Sequence, residues 1–351
     1  MEKIKPTIQV SALCDKAGRR ANQDSIYMSC ADMMTSIQTD GHEELHSERI
    51  PLASIGTLLA VADGMGGMNA GEVASQLVVD TLANEVTALA DHPPASPAEA
   101  AEFAMQAILD ADKAIKYYVA SHSEAAGTGS TIALLWILGQ KAVVAWCGDS
   151  RCYRYNPRRG LEQLSHDHSF VQQLVDEGKL PPELALGHDQ SNIITRCLSD
   201  DPNPAEPEAL VVDVYRDDVF LLCSDGLSGL LPDEVIEQLL KDTNGDVRQS
   251  LSNCWRRGEA EGWDDNVSII LASIHGVEVE ASERPTVLRP QRPSYSPVPA
   301  VIAAGSTAVA VPPSIPSIRP HSPRRMRWIW IALAAVVVAA AILFCLCGPS
   351  I

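Results

Sequence analysis

Six short runs of β-branched and other apolar residues lie within the first 280 residues and predict strands. The runs cover residues 7–13, 57–62, 131–138, 142–146, 219–223 and 267–272. Most of them end at a turn signal or at an acidic residue. Because strands and helices do not alternate in a repeated βαβ unit, the pattern favours an α+β fold with largely antiparallel sheets.

Two helices are predicted between the second and third runs. The first has apolar residues at helical spacing, at Val73, Leu77, Leu82, Val86 and Leu89. The second begins at a capping box from Ser96 to Glu99 and extends towards Ser121. Residues 33–55 carry four acids and two histidines between predicted strands, a composition typical of a surface insertion.

The C-terminal part of the chain has a different composition. Between residues 281 and 323, ten of 43 residues are proline, which predicts a disordered linker. Residues 324–327 are basic, and 328–347 are 20 residues without a charge. As a helix of ~1.5 Å per residue the latter would cover ~30 Å of hydrocarbon. We therefore predict a 1–280 domain, a linker, a basic juxtamembrane segment and one transmembrane helix, with a buried core helix as the alternative for the last.

The charge distribution limits the partners and the location. The net charge is -18, and residues 1–280 hold 20 basic against 44 acidic residues, so we expect no nucleic-acid partner. The arginines before residue 328 place the body in the cytoplasm by the positive-inside preference, with the last helix contacting membrane lipid. Nine cysteines without a C-x-x-C pair favour reduced thiols over a disulfide framework.

Four acids stand out: Asp24 in RRANQDS, Asp63 in LLAVADGMGG, Asp225 in VFLLCSDGLSG and Asp265 in GWDDNVSII. Asp63 and Asp225 each close an apolar run and precede a glycine. An isolated Asp-Gly after a strand is usually a turn. Like charges raise one another's pKa unless a cation compensates them, and oxygen donors without His or Cys suit Mg²⁺ or Mn²⁺.

Ordered motifs from about residue 10 to residue 274 resemble the metal-dependent serine/threonine protein phosphatases, the PPM or type-2C class. The motifs are Arg19 with NQD, ADGMGGMNAGEVAS, GTGST, WCGDSRCYR, LSHDHSFVQQLVDEGKL, NIITRCL, LLCSDGLSGLL and WDDNVSIIL. Each motif alone is weak, whereas their number, order and spacing are specific. The resemblance implies an α-β-β-α sandwich, in which two packed, mainly antiparallel sheets are flanked by helices.

The resemblance also implies metal ligands. Asp63 would bridge two Mn²⁺ or Mg²⁺ ions, and the Gly64 carbonyl would bind one of them. Asp225 and Asp265 would hold the other ion, while Asp24 would act mainly through metal-bound waters. A water that bridges two divalent cations loses its proton near neutral pH, and the hydroxide would attack phosphorus in line with the departing Ser or Thr oxygen.

Two further residues gain roles by the same resemblance. Arg19 would bind the substrate phosphate, for which a guanidinium has the appropriate fork. Bacterial members of the class often bind a third, weaker metal ion through the Asp of GDSR, which is Asp149 here. An Asx turn after a strand is the alternative for Asp149. The expected substrates are phosphorylated proteins, and the expected partner is a Ser/Thr kinase or its substrates at a bacterial inner membrane.

The chain departs from many eukaryotic relatives at two positions. Met65 stands where they have a His proposed to protonate the leaving group, which leaves the general acid open, with metal-bound water as a candidate. Gln23 replaces a Glu, from which we expect modest tuning of the metal waters. His166 and His168 form an H-x-H pair that could ligate zinc, but a loop-and-helix role is favoured, with the segment from about 168 to 192 as a flap beside the active site.

Other functions fit less well. The Asp63 motif faintly resembles the nucleotide-binding element of GHKL ATPases, but Asp225 and Asp265 would then have no role. The more serious alternative is a catalytically weak, membrane-tethered module that binds phosphoproteins. Retention of the core acids favours the enzyme, a protein-serine/threonine phosphatase.

Overall fold

The computed structural model describes residues 6–30, 33–52, 55–66, 70–89 and 93–279. The chain divides into two units, Met1–Pro293 and Ser294–Ile351, and all described residues belong to the first. The predicted linker, basic segment and transmembrane helix, together spanning 281–347, lie outside the described residues. Within the described ranges, none of the helices combines the length and the apolar character needed to cross a bilayer.

The described residues form fifteen strands and six α-helices. The strands are β1 (Thr7–Asp15), β2 (Asp24–Cys30), β3 (Met33–Ile37), β4 (His42–His46), β5 (Ile50–Pro51), β6 (Thr57–Met65), β7 (Gly129–Ser130), β8 (Ile132–Leu138), β9 (Lys141–Cys147), β10 (Arg151–Asn156), β11 (Gly160–Gln163), β12 (Leu198–Ser199), β13 (Glu208–Asp213), β14 (Val219–Cys223) and β15 (Val267–His275). The helices are α1 (Gly71–Ala88), α2 (Pro97–Ser121), α3 (Phe170–Asp176), α4 (Asp225–Ser228), α5 (Asp233–Asp242) and α6 (Val247–Glu261). The six predicted strands and both predicted helices are confirmed. Ser96 caps α2 by accepting the Glu99 amide, but the Glu99 carboxylate accepts the Ala95 amide, so the predicted capping box is only half formed.

Two antiparallel sheets organise the fold. One has seven strands in the order β11-β10-β14-β15-β1-β4, with β5 also paired to β1. The other has eight strands in the order β12-β7-β6-β8-β9-β13, with β2 between β3 and β6. All pairings between named strands are antiparallel, as the absence of βαβ units predicted.

Three apolar layers hold the sheets and helices together. Alternate residues of β8 show the arrangement, because side chains along a strand point to opposite faces. Leu135 joins Ile270 of the other sheet in the central core, while Leu134 packs in a second cluster with Leu82 of α1 and residues of α2. A third cluster joins α5 and α6 to the outer face of the seven-stranded sheet. Two antiparallel sheets with flanking helices are thus confirmed.

Residues 33–55 differ from the prediction of a surface insertion. β3 pairs with β2 in one sheet, and β4 and β5 pair with β1 in the other. Polar residues dominate β4 because most of its side chains are exposed, but Leu45 packs against the central core. The segment therefore extends both sheets.

Candidate active site

Acids from both sheets converge where their central strands end or begin. Asp24 opens β2 and lies opposite Asp63 of β6 in the antiparallel register. Asp225 follows β14 as the first residue of α4, and Asp265 lies two residues before the start of β15. The charges of Asp24, Asp225 and Asp149 act on Asp63, and the charge of Asp265 acts on Asp225. The structure thus brings together all four acids that were singled out at strand ends.

The glycines after Asp63 and Asp225 allow close backbone packing. A Cβ on Gly64 would lie 2.0 Å from the carbonyl oxygen of Gly71, and a Cβ on Gly226 would lie 1.9 Å from that of Asn266. Atoms cannot approach so closely, so a larger residue at either position would push the acid before it out of place. This packing role was not foreseen, and the predicted metal contact of the Gly64 carbonyl stays a prediction.

Asp24 is fully buried and only half satisfied. Its Oδ2 accepts a hydrogen bond from Ser224 Oγ at 2.7 Å, whereas its Oδ1 has no hydrogen-bond partner. Burial raises the pKa of Asp24 to about 7, and the charges of Asp225 and Asp265 act in the same direction. A buried carboxylate oxygen without a donor is costly unless a cation faces it.

The surroundings of Asp63 and Asp225 disfavour the ionised form of both carboxyls. Burial raises the pKa of Asp63 well above its usual range, and the charges of Asp24, Asp225 and Asp149 raise it further. Burial and Asp265 also raise the pKa of Asp225. These shifts arise because low dielectric and like charges both disfavour the ionised form. A divalent cation would supply the missing positive charge.

Arg19 lies at the rim of this acidic group. Its Nη2 donates to Asp265 Oδ2 at 2.7 Å, and its side chain is 55% exposed. The hydrogen bond and charge of Asp265 raise the pKa of the guanidinium. The exposed edge of Arg19 leaves it accessible to an anion from solvent, as its predicted role in phosphate binding requires.

Asp149 comes close to the same group from β9. It is buried, its Oδ1 has no hydrogen-bond partner, and burial followed by the charges of Asp225 and Asp167 raises its pKa. An Asx turn would satisfy the side chain with local backbone donors. A backbone hydrogen bond within Asp149 lowers its pKa, as a local turn would, while the unpartnered Oδ1 and the interaction with Asp225 suit a cation ligand.

The donor set fits a hard divalent cation. It consists of carboxylate oxygens, two of them buried without partners, and such donors match Mg²⁺ and Mn²⁺. In the ranges that the structure describes, no three His, Cys, Asp or Glu side chains already stand as ligands around one point. The Asp265 carboxylate instead accepts a hydrogen bond from Arg19.

Three residues that position the site had no role assigned from the sequence. Ser224 holds Asp24 and also accepts the Ser268 amide. Thr131 bonds Asp63 twice, through its own amide and through its hydroxyl. Asn266 donates to the carbonyls of residues 16 and 21 and accepts the residue 23 amide, which fixes the loop that carries Arg19. All three residues lie within motifs that carry the family resemblance, and this position in the sequence is the signal that could have identified them.

The predicted roles of two other motifs can be compared with the structure. The His166–His168 segment is a loop and helix start, as favoured, because Ser169 caps α3 and the two histidines face different partners. The Gln23 side chain donates to the Gly66 carbonyl at 3.4 Å, and its effect on metal waters stays a prediction.

Known proteins resemble this chain in sequence and in fold. The profile of the family described as protein phosphatase 2C matches residues 51–272, more than half of the chain. Serine/threonine protein phosphatase PstP of Mycobacterium tuberculosis is 36% identical over 217 residues, which are 62% of this chain and 40% of that protein. Serine/threonine phosphatase stp of Listeria monocytogenes is 32% identical over 217 residues, 61% of this chain and 83% of that protein.

A solved structure extends the comparison to the fold. The catalytic domain of PstP in complex with two manganese ions is 30% identical, with a TM-score of 0.58 over 77% of this chain and 99% of that structure. The match to full-length PstP, in contrast, spans less than half of that protein. With the family profile covering both Asp63 and Asp225, this chain belongs to the protein phosphatase 2C family of serine/threonine protein phosphatases.

Proposed function

We propose that this protein is a metal-dependent enzyme that hydrolyses phosphoserine and phosphothreonine in proteins. The convergence of Asp24, Asp63, Asp225 and Asp265, in which Arg19 pairs with Asp265 while one buried oxygen of Asp24 has no hydrogen-bond partner, carries the proposal. The relatives PstP and stp, which are named as serine/threonine phosphatases, and the two manganese ions of the PstP structure support it.

Different side chains of the site would bind the metal ions and the substrate phosphate. Asp63, the Gly64 carbonyl, Asp225 and Asp265 would hold two Mn²⁺ or Mg²⁺ ions, and Asp24 would act mainly through waters on these ions. When bound, such ions supply an activated water near neutral pH and neutralise charge on the phosphoryl oxygens. Arg19 would leave Asp265 to bind the phosphate from the open side, where its guanidinium can donate to two oxygens.

A third, weaker ion would be held by Asp149 together with Asp225. The unpartnered Oδ1 of Asp149 and its electrostatic contact with Asp225 support this assignment. The general acid opposite Met65 would be a water on the metal ions.

Hydrolysis of a phosphothreonine peptide by the full-length protein in detergent tests the enzyme proposal. We expect phosphate release with Mn²⁺, loss of release with EDTA, and no release by Asp63→Asn. Peptide binding without release under any metal condition would reject the enzyme and favour the catalytically weak binding module.

We also propose that residues 328–347 anchor the protein in a bacterial inner membrane with the catalytic domain in the cytoplasm. The uncharged 20-residue segment and the three arginines before it support this topology. The tether would concentrate the enzyme near membrane Ser/Thr kinases or their substrates, so that it reverses their phosphorylation. Deletion of 324–351 should release the protein from the membrane fraction with hydrolysis intact; a truncated protein that still sediments with membranes would contradict the anchor.

A further inference from the structure

His168 is a buried histidine that bonds the residue next to Asp149. Its side chain is 4% exposed, and its Nδ1 accepts the Gly148 amide at 3.2 Å. The His168 amide in turn donates to the Gly148 carbonyl at 3.0 Å. Both backbone groups of Gly148 are therefore held by one residue.

This hydrogen bond assigns the ring proton. Because Nδ1 accepts, the neutral imidazole carries its proton on Nε2. Nε2 is buried and has no hydrogen-bond partner, and the Glu208 carboxylate lies 3.6 Å away. Glu208 also accepts from Arg196 at 3.0 Å. The carboxylate favours the proton on the ring nitrogen that faces it, which leaves Nδ1 as the acceptor.

The position of Gly148 matters for Asp149. Gly148 has a φ of +119°, and a Cβ there would lie 2.5 Å from Thr131 Cβ, so the peptide before Asp149 is closely packed. On the other side of Asp149, Arg151 is held by the carboxylate of Asp167, the residue before His168. Adjacent residues of one loop thus hold the chain on both sides of Asp149.

We propose that His168 is a positioning residue for Asp149: its Nδ1 fixes the Gly148 peptide and thereby aims the Asp149 carboxylate at the weakest metal ion. The inference rests on the proposed function, since that function assigns Asp149 to a cation. This role also accounts for a buried imidazole at position 168 although its Nε2 has no hydrogen-bond partner.

Three substitutions separate the two ring nitrogens. Asn at position 168 places an oxygen near the position of Nδ1 and keeps the acceptor for Gly148. His168→Gln keeps a side chain of similar size with a polar group near the position of Nε2, but it has no acceptor near the position of Nδ1. His168→Ala removes both, and His166→Ala is a matched control, because His166 is 44% exposed and pairs with Asp176.

Binding of Mn²⁺ to the metal-free full-length variants, followed by electron paramagnetic resonance and calorimetry, tests the inference. We expect the dissociation constant of the weakest Mn²⁺ to rise about 10–100-fold in His168→Gln and His168→Ala. His168→Asn and His166→Ala should stay within about threefold of the unmodified protein, and the two tighter ions should change little in all four variants. If His168→Ala does not fold, His168→Gln against His168→Asn gives the same comparison.

Several results would overturn the inference. One is an Asn variant as weak as the Gln variant, because the Nδ1 acceptor would then be irrelevant. Another is equal weakening of all the ions, which indicates a merely structural role, and a third is an unmodified protein that binds no third Mn²⁺. Absence of turnover would reject the proposed function instead, since the binding measurement requires no hydrolysis.

Discussion

Two groups of charged side chains, one around Arg151 and Asp167 and the other around Asp24 and Asp63, differ in whether a cationic side chain pairs with the buried carboxylate. Arg151 donates to both oxygens of Asp167 at 2.7–3.0 Å and to the Tyr153 hydroxyl at 2.7 Å. Asp24, in contrast, is buried opposite the half-buried Asp63, and one oxygen of Asp24 has no hydrogen-bond partner. Asp167 therefore has its counter-ion within the protein, whereas in our proposal metal ions from solution neutralise Asp24 and Asp63.

The largest expected effect is that of removing the central charge from the acidic group. Asp63→Asn should lower kcat by about a thousandfold or more, because metal ions supply several kcal/mol of transition-state stabilisation. In EDTA the variant should melt about 2–4 °C higher than the unmodified protein, because a neutral amide removes the repulsion with Asp24 and Asp225.

Phosphate release and thermal melting with EDTA and with Mn²⁺ check both halves of this expectation. Mn²⁺ should raise the melting temperature of the unmodified protein more than that of Asp63→Asn. If Asp63→Asn were less stable than the unmodified protein in EDTA and still released phosphate, Asp63 would have a structural role and no role in metal binding.

The opposite result is expected for the Arg151 group. Arg151→Met should destabilise the fold by about 3–4 kcal/mol, because it leaves the buried Asp167 carboxylate without its cation. Lys179→Met is the matched control, since the Lys179–Glu177 pair is exposed and should contribute less than about 1 kcal/mol. Urea denaturation in EDTA measures the free energy of unfolding of both variants. Equal losses of stability would show that the Arg151–Asp167 pair contributes no more than an exposed ion pair.

Asp218 is an intermediate case, a buried acid whose closest partners are neutral donors. Its oxygens accept from Asn156 Nδ2 and from the Tyr215 amide, both at 2.7 Å. Burial raises the pKa of Asp218 from the usual 3.8 to about 6, so the fold prefers the protonated carboxyl. Its contribution to stability is therefore fully present below about pH 4 and is lost as the pH rises through about 6.

Comparison with Asp218→Asn isolates this effect. The free energy of unfolding of the unmodified protein, relative to that of the variant, should fall by about 2–3 kcal/mol between pH 4 and pH 7. Urea denaturation at several pH values in EDTA gives this difference, and a constant offset from altered hydrogen bonding does not affect it. A difference that rises with pH would show that the native protein stabilises the ionised form.

Asp63 and Asp225 could be singled out because each closes an apolar run, and the order of the motifs identified the family and with it the roles of Asp24 and Asp265. The contacts of Asn266 with residues 16, 21 and 23 could not be read in the same way, since they depend on strand register between distant segments. β4 was mistaken for part of an insertion because its polar side chains face solvent, while its backbone pairs with β1. The predicted membrane segment lies outside the described residues.

Arg19 gives the smallest expected effect and separates substrate binding from the acidic group itself. Arg19→Ala should raise KM for a phosphopeptide about tenfold, because it removes a charge-assisted hydrogen bond to phosphate, and should change kcat by less than about threefold. Stability should hardly change, since Arg19 is 55% exposed and its pair with Asp265 is largely solvated. Arg19→Lys retains the charge without the fork, so an intermediate KM would show that donor geometry contributes. Because Arg19 also bonds Asp265, a rise in the Mn²⁺ requirement at constant KM would instead assign Arg19 to the organisation of the metal ligands.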